Sequence, residues 1–384
     1  MLFFISGKSV TVESGRYLRP RNGCDERVMT ATTPEQAVSP RNLRVAQWAT
    51  GTIGTHALRS VIEHPDMTLV GLRVYSDGKQ GSDAGTLSGL DTVTGVTATA
   101  DIETILAAKP DCVLYMPILC DPDDLCRLLA AGVNVVTTCG DFHNPGTMDP
   151  ALRERVETAC ATGGTSVYST GSSPGFITEA LPLVLASVQR RLNHLTINEY
   201  ADVSRRDSPI MIFDIMGFGR PAGAFDENML GYIAGNFGPS LRLLAETLGR
   251  PLDSVESRGE LATATHDVTV AAGKIEAGTV AGLRITVTGI SGGRPLMTFT
   301  ANWYCTTDLD QQWALRGDDG WHVHVDGDAP LDVDIRFPVA PDRLPAVSPG
   351  YTANRAVNAV AAVCAAAPGI RTTADLPHIV TTLA

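Results

Sequence analysis

An acid and an imidazole stand two positions apart in the run Thr138-Cys139-Gly140-Asp141-Phe142-His143, just after the strand-like Val133 to Thr138. A carboxylate can balance the charge of an iminium or ammonium nitrogen, and a histidine can hand over a proton near neutral pH. Asp141 and His143 are therefore the catalytic candidates. Two other segments end like strands at a comparable place, Tyr115-Met116-Pro117 and Tyr168 to Ser172. In an open parallel sheet, ligands lie outside the carboxyl ends of the strands. Tyr168 and Ser172 are thus candidate substrate contacts. So are Glu199 and Tyr200, neighbours on an alternating strand, one of which must face a cleft.

A second constellation is glycine-based. Leu43 to Trp48 reads as a buried strand and runs into Ala49-Thr50-Gly51-Thr52-Ile53-Gly54, after which Ala57, Leu58, Val61 and Ile62 recur at helical spacing. This is the context of a dinucleotide-binding turn. Gly51 would let the backbone approach a pyrophosphate and Gly54 would let the helix pack close to the strand. The phosphates would sit on the helix N-terminus. The second strand ends in Tyr75-Ser76-Asp77-Gly78-Lys79. A small hydroxyl and a cation there suit a 2′-phosphate, so NADP is expected, with NAD the alternative through Asp77. Tyr115, Met116, Pro117, Thr138 and Cys139 would lie along the cofactor.

These groups must be positioned by elements the pattern also predicts. Strands alternate with helices from Leu43 to about Gly175, with Asp101 and Asp149-Pro150 as helix starts. The expectation is an α/β chain with a Rossmann-type doubly wound parallel sheet over 43–175. Residues 176–345 alternate in β fashion and predict an α+β substrate and dimerisation domain with an open antiparallel sheet. Gly292-Gly293 reads as a hairpin turn. Residues 346–384 hold a helix, Thr352 to Ala366, stopped by Pro368-Gly369. Residues 1–42 show no periodicity and read as a poorly ordered tail.

Composition narrows the partners. A net charge of -12 disfavours nucleic acid and anionic membranes. No apolar run approaches a membrane span of roughly 18 residues. The eight cysteines include no C-x-x-C pair and suit reduced thiols in the cytoplasm. His322 and His324 share a strand face but lack further ligands, so no metal is expected. No G-x-S-x-G elbow is present.

Taken together, the turn at 49–54, the Gly81-Ser82-Asp83-Ala84-Gly85 loop, Thr137-Thr138-Cys139, Gly171-Ser172-Ser173-Pro174-Gly175-Phe176 and the ending Pro368 to Pro377 resemble the dihydrodipicolinate-reductase-like superfamily. Within it the chain resembles the branch of 2,4-diaminopentanoate dehydrogenase and the native amine dehydrogenases. The resemblance implies a Rossmann domain, a substrate domain, a C-terminal helix returning to the first domain, a homodimer, and hydride exchange between NAD(P)H and an imine carbon. The chain has no His-His pair, so dihydrodipicolinate reductase activity is not expected. Where the amine-dehydrogenase branch places an acidic pair, this sequence has Gly140 and Asp141. The function expected is an NAD(P)-dependent oxidoreductase acting on a small imine/amine or carbonyl substrate. The alternative is a catalytically silent NADP-binding sensor or scaffold.

Overall fold

A computed structural model describes residues 42–382. The expected N-terminal tail lies outside the described residues, apart from Asn42. The first layer is a seven-stranded parallel sheet. Its strands are β1 (Leu43–Trp48), β2 (Met67–Arg73), β3 (Ala98–Thr99), β4 (Cys112–Tyr115), β5 (Asn134–Thr137) and β6 (Ser166–Ser169), with β15 (Gly369–Arg371) from the end of the chain. The order is β15-β6-β5-β4-β1-β2-β3, so the strand order reverses between β1 and β4. Ligands of open α/β sheets bind at such a point.

Both faces of this sheet are covered, which explains its nearly continuous apolar strands. On one face Val45, Leu114 and Tyr168 pack against α1 (Thr52–Ile62) and α8 (Leu344–Ala365). On the other, Ala46, Val113 and Val135 pack against α4 (Pro122–Ala130) and α5 (Pro150–Gly163). The shorter helices α2 (Ala84–Ser88) and α3 (Ile102–Ala107) complete the crossovers. Their starts are read locally. Asp83, Asp101, Asp121 and Asp149 each accept backbone N–H groups two or three residues on. Asp83 also accepts from Thr94 and Gly95. Those bonds, the Thr94 N–H first, hold its carboxyl below the usual range. The Gly81–Gly85 loop is thereby a scaffold.

The chain leaves this layer through Ser172–Ala180, which turns helical at Phe176 and continues as α6 (Leu181–Ala186). A six-stranded sheet follows. It uses β7 (Leu192–Asp202), β8 (Ser254–Thr263), β11 (Val280–Ser291), β12 (Arg294–Tyr304), β13 (Gly320–Gly327) and β14 (Leu331–Arg336), while β9 (Val268–Val270) and β10 (Gly273–Ile275) pair separately. Four of its pairings are antiparallel as expected, but β7 and β12 are parallel. The sheet is therefore mixed: β7 lies in its middle and receives β12 from a long connection. Gly292 and Gly293 both have positive φ and close the β11–β12 hairpin. One face, with Leu195, Ile197, Val287 and Phe299, is buried against α7 (Glu227–Thr247). The opposite face carries Thr196, Asn198, Thr286, Thr298 and Thr300, all half-buried.

Candidate active site

The turn after β1 has the shape its glycines predict. A Cβ on Gly54 would run into the Ala49 carbonyl oxygen, so α1 can approach only with glycine there. A Cβ on Gly51 would meet nothing within 4 Å; the backbone faces an open cleft. The α1 N-terminus has no side-chain cap and no acid in its first turn. Its N–H groups and positive dipole end are left for an anion. Ala49, standing where the fingerprint has its first glycine, adopts φ 73°. A cleft of about 900 Å³ opens here, lined by Thr50, Gly51, Tyr75, Ser76, Lys79, Met116 and others. These residues fit a dinucleotide. The Lys79 ammonium donates to the carbonyl and hydroxyl oxygens of Thr50, at 2.9 and 3.0 Å. The Arg73 guanidinium lies 3.8 Å from the Tyr75 ring centroid, and its Nε and Nη1 are buried without a partner.

Further along the cleft, Met116 and Pro117 follow β4; Cys139, after β5, is buried with its thiol on the Pro117 carbonyl, and neither it nor Thr138 is among the residues lining the cleft. Tyr115, by contrast, points into the core beneath the cleft: it is fully buried against Trp48, and burial pushes its hydroxyl well up. It supports the cleft from below. The Cys120 thiol bonds to Cys139, which holds the Cys139 thiol down and pushes that of Cys120 up. The chain then makes a single turn, Gly140–Phe142, fixed by the fully buried Phe142 ring. Asp141 sits on this turn, exposed, with no hydrogen bond to a described residue. A Cβ on Gly140 would strike Oδ1 of Asn236 on α7, so the glycine admits that helix to the turn.

His143 is placed differently from the expectation of an imidazole offered to the cleft. It is 3% exposed, and Nδ1 lies 2.6 Å from Oε1 of Glu179, itself fully buried. The Ser240 hydroxyl on α7 donates to the same oxygen at 2.7 Å, and the Thr373 hydroxyl donates to Oε2. Tyr168, expected near the substrate, joins the same network: it is 1% exposed, with its hydroxyl 2.9 Å from that of Thr373. A carboxylate taken out of water needs such a set of donors. The network holds the turn carrying Asp141 from behind. The sequence reading missed Glu179, Ser240 and Thr373. The available signal was Glu179, a lone charge in the apolar run from Phe176 to Ala186.

Ser172 and Glu199 come into one neighbourhood. Ser172 bonds the Thr352 hydroxyl of α8 at 2.7 Å, and the adjacent Tyr351 stacks on Phe337 at 4.5 Å. Phe337 meets Trp321, which meets Phe176. The Glu199 carboxylate accepts the indole N–H groups of Trp303 and Trp321, at 3.2 and 3.0 Å. Tyr200 faces the other side of the sheet, beneath the Arg316 guanidinium. The structure thus sets Glu199 on the α7 side and Tyr200 on the outer face. His322 and His324 both bond Asp332, and among the described residues no group of three or more potential ligands is arranged for a metal. Among the same residues no helix is long and apolar enough to cross a membrane.

Comparison with known proteins agrees with this geometry. Residues 176–384 match the model of the 2,4-diaminopentanoate dehydrogenase C-terminal domain. An amine dehydrogenase of Streptomyces virginiae is 30% identical over 341 residues, 86% of this chain and 95% of that one. The solved structure of an amine dehydrogenase from Mycobacterium smegmatis superposes with a TM-score of 0.71 at 21% identity, covering 89% of this chain and 98% of that one. That likeness speaks for the fold, while the family match and the 30% identity speak for descent. The chain, with its dinucleotide turn and its carboxylate at the end of β5, belongs to the family of 2,4-diaminopentanoate dehydrogenase and the amine dehydrogenases and is an NAD(P)-dependent oxidoreductase.

Proposed function

We propose that this protein exchanges hydride between NADP(H) and the carbon of a small imine or amine, with Asp141 as the carboxylate that faces the reacting nitrogen. One observation carries the reading. Asp141 is the exposed, unbonded acid on a turn at the carboxyl end of β5, while the acid and imidazole behind it are buried and mutually satisfied. When bound, the nicotinamide supplies or accepts the hydride. Asp141 balances the positive charge of an iminium as its carbon gains hydride, and in the reverse direction it takes up the proton an ammonium loses. His143 acts as a positioning residue through Glu179, and Glu199 with its two indoles shapes the far wall of the substrate space. Ser172, bonded to Thr352, stands on the nearer side.

Ser76 and Lys79, which line the cleft, support NADP over NAD, since a hydroxyl and a cation there suit a 2′-phosphate. The polar, half-buried outer face of the second sheet supports a homodimer formed there, and reduced cysteines fit the cytoplasm. We take residues 43–175 as the dinucleotide domain, 176–345 as the substrate and dimerisation domain and 346–384 as the returning segment.

The test is absorbance of the reduced cofactor with a panel of ketones plus ammonia, imines and aldehydes. Turnover that falls roughly 100-fold or more in Asp141→Asn, with NADPH binding unchanged, is the expected result. NADPH binding without turnover on every substrate would instead make the chain a silent binder. A preference for NADH that Lys79→Ala and Arg73→Ala leave unchanged would overturn the NADP assignment.

A further inference from the structure

A second cavity, of about 640 Å³, lies between α6 and the segment after β15. Its size is that of small-molecule sites. It is not lined by the dinucleotide turn or by the run from Cys139 to His143. The walls are apolar: Leu181 and Val184 from α6 face Leu376 and Ile379 from the C-terminal segment. No acid lines it. Its basic groups are the exposed His378 and the half-buried Arg355 of α8, whose Nε has no hydrogen-bond partner. The nearest polar groups, Tyr168 and Thr373, are committed to the Glu179 network. A half-buried guanidinium beside an apolar wall, with no acid among the lining residues, is placed to take a carboxylate that fits its fork.

We propose that this cavity is a ligand site, separate from the cofactor cleft, for a monocarboxylate with an apolar tail. The carboxylate pairs with Arg355 and the tail lies between α6 and the C-terminal segment. Either half of such a molecule alone meets only half of the site. A plain inorganic anion would leave the apolar walls uncovered, and an amine of the same length would meet the wrong charge.

Isothermal titration calorimetry of the full chain with sodium octanoate tests this. Saturable binding at one site per chain is expected, with no binding of octylamine. Arg355→Met should weaken octanoate at least ten-fold, while Arg355→Lys keeps most of the affinity. Val184→Trp, on the exposed rim of α6, should block the site without touching the charge. Saturating NADPH should leave octanoate binding unchanged. No saturable heat, wild-type affinity in Arg355→Met, or displacement of octanoate by NADPH would each overturn the proposal. The proposal does not depend on the reaction assigned to Asp141, so failure of one leaves the other standing.

Discussion

The helix-capping acids of the parallel-sheet half and the buried acids of the other half find their partners at opposite ranges. The caps have partners close in sequence. Asp83, Asp101, Asp121 and Asp149 cap helices two or three residues ahead of them. In the crossover and second sheet the partners are remote. Glu179 meets His143, Ser240 and Thr373 at separations of 36, 61 and 194 residues. Glu199 meets Trp303 and Trp321 at 104 and 122, and the Asp202 N–H donates to Asp319 at 117. The starts of the helices around the first sheet belong to the first kind and the support of Asp141 to the second. A site built locally can be recognised from a few adjacent residues; one built at long range exists only once the chain is folded.

Breaking each kind should show the difference. The largest effect on cofactor binding is expected at the turn itself. Gly54→Val would push α1 away from the Ala49 carbonyl and should lower NADPH affinity by roughly 100-fold, read by quenching of protein fluorescence. Next come two substitutions of acids. Glu179→Leu strands a buried imidazole and two hydroxyls and should cost about 3–5 kcal/mol in urea unfolding. Asp121→Ala removes a local cap and should cost about 1 kcal/mol. Equal losses would erase the contrast.

A smaller, pH-dependent effect is expected at Asp319, whose carboxyl burial pushes up to about 6. Its folded value lies above the unfolded one. Its contribution to stability is therefore greatest at low pH and fades as pH rises through about 6. Asp319→Asn keeps an oxygen for the Asp202 N–H and cannot ionise. Its melting temperature relative to wild type should accordingly be higher at pH 8 than at pH 5. A pH-independent difference would show that Asp319 does not titrate in this range. Smallest of all, Ala49→Gly should relieve a left-handed alanine and raise stability by less than about 1 kcal/mol, with cofactor binding retained.

The same contrast governs how much could be read from the sequence. Asp101 and Asp149 announced their helices, and the Gly292-Gly293 turn announced a hairpin, because each signal and its effect sit within a few residues. The 49–54 turn was legible for the same reason. Helix α8 starts at Leu344, well before the expected Thr352. Pro345 falls in the first turn, where the donor it lacks would have had no partner anyway, whereas Pro349 lies inside the helix and forgoes one backbone bond. Helix α7 begins at Glu227 and runs through Pro239, a residue that would normally mark a helix boundary. The parallel pairing of β7 with β12 left no local mark: alternation tells that a strand has two unlike faces, not which neighbour it takes. Asp141 was visible as an acid after a strand. Its contrast with His143 was not, since burial of the imidazole depends on Glu179 and Ser240 arriving from other elements.

The Glu179 network also has a meaning in time. Synthesis runs from the amino end, and domains usually fold as they emerge. Here the strand β15 that closes one edge of the first sheet, and the Thr373 hydroxyl that completes the bonding of Glu179, come late in chain order, Thr373 standing 194 residues after Glu179. A growing chain can form the turn at 49–54 early, but the support behind Asp141 stays incomplete until Thr373 has emerged. This protein should be able to grip its cofactor before it is able to hold its carboxylate still.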